Sequence, residues 1–222
     1  SPKPPAMPAI TKLPEAGQTV KGSVEGPAGN LETEISAPEE AAGGVAVICH
    51  PHPQHGGTKD NKVVYTLARA CREAGLIAVR FNFRGVGASE GVYDEGNGET
   101  EDALAVAEWA LQQAESETLV WAGFSFGAGV ALRAAMQKQP FGLATIALPT
   151  RYFEKDLPRP DCPWLAVHGD ADDVVDTDAA IKSLNELSPT PEIETLSKAG
   201  HFFHGQLTEL GEIIGKHLPR WL

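Results

Sequence analysis

The segment Gly123-Phe124-Ser125-Phe126-Gly127 follows the apolar run Leu119-Val120-Trp121-Ala122, which places a serine on a turn too tight for side chains on either flank. A strand that hands over to a helix within a few residues needs glycine at positions 123 and 127, where a Cβ would collide with the neighbouring strand or helix. Ser125 is then left projecting from the turn above a helix N-terminus, in the posture of a nucleophile. Two further residues complete an acyl-transfer constellation. Asp172 lies just past the strand-like run Trp164–His168, and His201 lies just past the strand-like run Glu192–Leu196. Serine, acid and histidine arrive in that order, each beyond the C-terminal end of an expected strand. In a parallel sheet those ends share one rim, so groups distant in sequence meet there, and a histidine held by a carboxylate can take the serine's proton. Asp172 is the expected acid because it is the fourth residue after His168. Its neighbours Asp170 and Asp173 read as solvent-facing, and Asp176 with Thr177 as a helix cap. Gly200 is expected to turn the chain sharply out of its strand and present His201, leaving His204 further into the last helix beside Phe203.

A second cluster follows the third expected strand: His50-Pro51-His52-Pro53-Gln54-His55-Gly56-Gly57. Proline has no N–H, so the backbone N–H of His52 is the candidate to pair with that of Phe126 as donors to a tetrahedral oxyanion. The His52 imidazole itself is expected to pack or hydrogen-bond so as to hold the loop. The same residues admit a rival chemistry. His50, His52 and His55 have the H-x-H-x-x-H spacing that opens a binuclear zinc site, and Asp172 and His201 could complete it. Gln54, however, stands where that motif carries an aspartate ligand, and the serine reading accounts for elbow, acid and histidine without a metal or other cofactor. A third class is a non-catalytic binding scaffold, against which the intact serine, acid and histidine speak. Arg84, in Phe81-Asn82-Phe83-Arg84-Gly85-Val86-Gly87, is a candidate contact for an acidic substrate group, although an arginine in such a loop more often braces it. The stretch is not a nucleotide loop, since Gly91 falls one position late for G-x-G-x-x-G. The acidic stretch from Asp94 to Asp102 reads as solvated surface running into a helix N-cap, with Glu99 or Thr100 in the first turn.

With 222 residues and 42% hydrophobic content, the chain can bury one sizeable core, which predicts a single domain over residues 17–222. Residues 1–16 begin Ser-Pro-Lys-Pro-Pro and read as an extended arm outside the fold. A formal net charge of −12 argues against nucleic acid and anionic membrane as partners. The expected partner is a small-molecule ester, with a homodimer left open. Cys49, Cys71 and Cys162 have no metal-ligand spacing and read as reduced and structural, as in a cytoplasm. No apolar run approaches the roughly 18 residues a membrane span needs, and no basic-then-apolar signal pattern opens the chain.

The runs Gln18–Val24 and Leu31–Ser36 predict an antiparallel pair around the turn signal Gly26–Asn30. From there short apolar runs predict strands over Gly44–Cys49, Ile77–Phe83, Thr118–Ala122, Gly142–Leu148, Trp164–His168 and Glu192–Leu196. Between most of them helical periodicity predicts helices over Lys62–Glu73, Glu101–Gln113, Phe126–Gln137, Asp178–Leu187 and Gln206–His217. Strand alternating with helix means a mostly parallel central sheet with helices on both faces.

The chain resembles the α/β-hydrolase superfamily along nearly its whole length from about Gly17, and more narrowly its small lidless bacterial branch, related to dienelactone hydrolases. The resemblance is carried by four separated motifs: His50–Val64 (H-P-x-x-x-x-G-G-x-x-x-N-K-V-V), Arg80–Ser89 (R-F-N-F-R-x-V-G-x-S), Ala122–Ala128 (A-G-F-S-F-G-A) and His201–His204 (H-F-F-H). It implies Ser125 as nucleophile, Asp172 as acid within H-G-x-x-D-x-V-V, and His201 as base of a serine hydrolase. In that superfamily a lid is commonly inserted after the strand that follows the nucleophile helix. Here only Pro149–Pro163 fills that interval, about fifteen proline-rich residues, so no lid is expected. The function expected is a serine carboxylesterase that cleaves short-acyl esters or thioesters through an acyl-enzyme.

Overall fold

Strands in the middle of this chain are apolar at every position because both of their faces are covered. In β3 (Val45–Cys49) all five residues are buried: Val45, Val47 and Cys49 join a core on one side of the sheet, and Ala46 and Ile48 join one on the other. The same alternation runs through β5 (Leu119–Phe124) and β7 (Trp164–Gly169). The computed structural model describes residues 7–153 and 155–222.

The remaining strands are β1 (Thr19–Gly26), β2 (Gly29–Ser36), β4 (Ile77–Phe81), β6 (Gly142–Ile146) and β8 (Glu192–Leu196), and together they form one eight-stranded sheet of order β1-β2-β4-β3-β5-β6-β7-β8. β1 and β2 pair antiparallel, as do β2 and β4, and every other neighbouring pair is parallel. Helices α2 (Asn97–Ala114), α3 (Phe126–Gln137) and α4 (Thr177–Asn185) supply one core. Helices α1 (Lys62–Glu73) and α5 (Leu207–His217) supply the other. This is the lidless α/β-hydrolase architecture expected, and among the described residues the interval from Pro149 to Pro163 holds only a short 3-10 turn over Thr150–Tyr152.

Two expectations need correcting. The arm is not wholly outside the fold: Ile10 is buried, and the backbone of Pro8 and Ile10 bonds to Ser23 of β1 at 2.8 Å each. Residues 1–6 lie outside the described residues. The acidic stretch, in turn, is not simply solvated. Helix α2 starts four residues earlier than periodicity suggested, capped at Gly96, and the buried Glu99 carboxylate accepts the N–H groups of Gly96 and Asp94 at 2.9 Å each. Helix N-termini leave such donors unpaired, which gives a carboxylate reason to be buried there.

Candidate active site

The C-terminal ends of β3, β4, β5, β7 and β8 lie along one rim, and each sends a loop bearing a residue singled out above. Ser125 follows β5 directly, with φ 57° and ψ −121°, a backbone conformation that costs on the order of 1–3 kcal/mol in a non-glycine residue. Its N–H donates to Ile146 O at 2.8 Å, and its carbonyl accepts the N–H of Ala128 at 2.8 Å, so strand and helix pin the turn from both sides. A Cβ on Gly123 would strike the carbonyl of Gly127, and one on Gly127 would strike the carbonyls of Cys49 and His50, all far inside van der Waals contact. Both flanking glycines are therefore required by geometry, as the sequence implied.

His201 Nδ1 donates to Asp172 Oδ2 at 2.8 Å, and Asp172 Oδ1 accepts the N–H groups of Val174 and Val175, also at 2.8 Å. Burial alone would raise the Asp172 carboxyl, but the bonds from His201, Val175 and Val174 outweigh it and hold the group below the usual carboxylate value. The other aspartates are used differently. Asp170 accepts the N–H of Lys198, Asp176 caps α4 through Ala179 N–H, and Asp173 is exposed. With Nδ1 protonated, His201 Nε2 keeps its lone pair, and His201 and Ser125 line one cavity of about 170 Å³. Ser125 Oγ and His201 Nε2 are not hydrogen-bonded here; such pairs are often long before substrate binds and tighten in the Michaelis complex.

We expect Asp172→Asn to lower kcat by on the order of 10⁴, because Asn Oδ1 keeps the two backbone bonds while its NH₂ faces His201 Nδ1 and forces the proton onto Nε2. Asp173→Asn should leave kcat within a few-fold. Steady-state kinetics on the two variants checks this, and the reverse pattern would shift the acid by one residue.

Gly200 does not play the part expected of it. Its φ is not positive, and the nearest atom to a Cβ placed there is 4.0 Å away. The chain turns instead at Lys198 and Phe203, with φ of 63° and 52°. His204 precedes α5 and does not lie in it; it is exposed, with its ring 6.0 Å from that of Phe202.

The histidine loop resolves into separate roles. His50 is fully buried, Nδ1–H donates to Pro51 O at 2.7 Å, and Nε2 accepts the N–H of Phe83 at 3.0 Å. With both nitrogens spent on backbone, His50 has no lone pair for a metal, which overturns the zinc alternative at its first ligand. His52 Nδ1 accepts the N–H of Gln54 at 3.1 Å and Nε2 lies 3.2 Å from the Tyr93 hydroxyl, so this ring holds the loop, as expected. Burial lowers the His52 pKa, and the positive charges of His55 and Arg151 lower it further. His55 stacks on His52 at 4.3 Å. Neither His52 N–H nor Phe126 N–H donates to an acceptor among the described residues, so both can serve an oxyanion. Arg84 takes the bracing role that the sequence reading favoured over a substrate contact. Its guanidinium binds both carboxylate oxygens of the buried Asp102, at 2.8 Å to Oδ1 from Nη2, and also Gly98 O, bracing the loop after β4 to α2.

His168, which no sequence signal marked for the site, sits at the end of β7 with neither ring nitrogen hydrogen-bonded. Burial lowers the pKa of His50 and of His168 to about 4. An unfolded histidine titrates near 6.5, so between those values the unfolded chain binds more protons and stability falls as pH falls. Below pH 4 each costs about 3 kcal/mol. Urea denaturation should show this loss between pH 6.5 and 4. In His168→Phe, where no hydrogen bond is forfeited, it should shrink by the His168 share, about 3 kcal/mol. An unchanged pH slope in that variant would remove His168 from the account.

Residues 28–150 match the family described as X-Pro dipeptidyl-peptidase (S15 family). Among solved structures, XC6422 from Xanthomonas campestris, described as a member of a/b serine hydrolase without lid, is 40% identical with a TM-score of 0.88 over 96% of this chain and 98% of that one. An alpha-beta serine hydrolase homologue from Coxiella burnetii is 43% identical with a TM-score of 0.85 over 90% and 97%. The protein RP471 of Rickettsia prowazekii (strain Madrid E) is 31% identical over 87% of this chain and 86% of that protein.

Proposed function

Because the chain belongs to the S15 family of α/β serine hydrolases, we propose that it hydrolyses carboxylic esters or thioesters of small acyl groups through an acyl-enzyme. Membership makes it a serine hydrolase of ester or peptide bonds; the ester reading is ours. The observation that carries it is the His201–Asp172 hydrogen bond at 2.8 Å beside Ser125 in a cavity of about 170 Å³. Ser125 Oγ attacks the carbonyl as His201 Nε2 takes its proton, and Asp172 orients and stabilises the imidazolium. The N–H groups of Phe126 and His52 receive the oxyanion, each worth about 3 kcal/mol in the transition state. His201 then protonates the leaving alcohol, and water repeats the sequence on the acyl-enzyme.

A small cavity favours a small acyl group. The family description favours a second reading, release of a dipeptide ending in proline. Recognition of a free N-terminal ammonium needs a carboxylate, and the described residues lining this cavity include neither Asp nor Glu but carry Arg151. A panel of acetyl and butyryl esters, thioesters and Xaa-Pro anilides, profiled for kcat/KM, tests the choice. Esters should exceed the anilides by about 10²-fold or more, fluorophosphonate should label Ser125, and activity should survive dialysis against a chelator. Faster turnover of the anilides would select the peptidase, and absence of labelling would select a non-catalytic scaffold. Three free cysteines suit a reducing compartment, consistent with a cytoplasmic enzyme, and no helix of the described residues is long and apolar enough to cross a membrane.

A further inference from the structure

The reaction cavity does not end at its own walls. Pro149, Arg151, Val174 and Val175 also line a second cavity of about 560 Å³, between the loop that follows β6 and helix α4. Its far side is apolar where Phe153, Leu157 and Leu187 face it. Val174 and Val175 donate their N–H groups to Asp172, the carboxylate behind His201, so the shared wall stands on the histidine side of the site. That is the side from which an alcohol departs, because His201 must protonate it. Val174 and Phe202, 47% and 44% exposed, offer an apolar rim there.

Arg151 stands where the two cavities meet. Its side chain stacks over the Tyr152 ring at 5.2 Å and makes no ion pair with any described residue, and its charge reaches far enough into the site to lower the pKa of His52. Lys155 adds a second cation to the larger cavity. Asp156, Asp176 and Glu186 line it as well, so the chamber as a whole has no excess of positive charge, and of all these charged groups Arg151 alone also lines the reaction cavity. A junction with a positive group, a chamber beyond it that carries an apolar patch of Phe153, Leu157 and Leu187, and the histidine beside it is complementary to one kind of ligand.

We propose that the 560 Å³ cavity is a leaving-group subsite, and that Arg151 selects esters whose alcohol portion is an apolar body bearing a carboxylate or phosphate. The inference rests on the ester reading above and extends it: the acyl group is small, while the alcohol is large and anionic. It is the alcohol, not the acyl chain, that an open site can accommodate without a lid.

The test compares 3-(4-acetoxyphenyl)propanoate with its carboxamide, which has the same acyl group and a leaving phenol of the same acidity but no charge. The native enzyme should prefer the propanoate in kcat/KM by about 10- to 100-fold, the range a charge-assisted hydrogen bond supplies. Arg151→Gln should bring that ratio to within about twofold of unity, with the loss appearing in KM, and Arg151→Lys should keep part of it. Ala179→Trp, which fills the chamber from α4, should lower kcat/KM on the propanoate relative to ethyl acetate. A ratio near one in the native enzyme, or one unchanged in Arg151→Gln, overturns the inference. So does a preference that appears only for phenyl hydrogen glutarate, whose charge is on the acyl side. Phenyl acetate turnover and fluorophosphonate labelling report the ester reading separately: if both are present and the ratio is flat, the subsite alone fails, and if both are absent, the two fall together.

Discussion

Ser125→Ala should abolish turnover, with a loss on the order of 10³ to 10⁶ in kcat, while leaving the fold intact. The size follows from position. Ser125 Oγ is the group that forms the covalent bond, and what survives its removal is the oxyanion pocket and substrate binding alone, which accelerate a water attack only modestly. The fold should tolerate the change because the unusual backbone at 125 is held by bonds of its own N–H and carbonyl, to Ile146 and Ala128, and alanine keeps both. Active-site titration and kcat on a freshly purified variant, with circular dichroism as the control, decide the matter. Retention of more than a few per cent of native kcat would remove Ser125 as nucleophile.

His201→Ala should be nearly as severe, and it should change the shape of the pH profile as well as its height. An imidazole base gives a kcat/KM that rises with pH, because only the neutral ring can take the serine's proton. Removing His201 should erase that rise, whereas His204→Ala should preserve it, since His204 is exposed beside Phe202 and has no bond to Asp172. A pH–rate series on both variants separates them. Loss of the rise in His204→Ala, with its retention in His201→Ala, would reverse the assignment.

The parts of this site that local chemistry dictates were legible in the residues themselves. Gly123 and Gly127 announce a turn without room for side chains, and proline at 51 and 53 removes the donors that would compete with His52. Strand ends were legible to within two residues for the same reason, because an apolar run stops where the chain leaves the sheet. What the residues could not disclose was pairing over distance. Asp102 and Glu99 sit in a stretch that reads as solvated, yet one is buried under Arg84, eighteen positions away, and the other closes the end of α2. The sequence thus favours a bracing role for Arg84 over a substrate contact without revealing which group it braces against. His50 likewise stays a candidate ligand of the rival metal reading, because neither Pro51 O nor Phe83 N–H can be identified from spacing as the owner of its ring nitrogens. Gly200 misled in the opposite way: a glycine before the base suggested a needed turn, and the turn lies at Lys198 and Phe203.

The glycine contacts around Ser125 have a consequence for how such an enzyme can change over time. Gly127 is pressed against the carbonyls of Cys49 and His50, so the nucleophile, the oxyanion donors and the central strands form one block in which almost any alteration is punished. Apart from Val174 and Val175, whose backbone holds Asp172, the wall of the larger cavity is assembled from the loop after β6 and from α4, neither of which enters that block. Reactivity and choice of substrate are thus inherited on separate pieces of chain, and a descendant can acquire a new alcohol by rewriting the second without renegotiating the first.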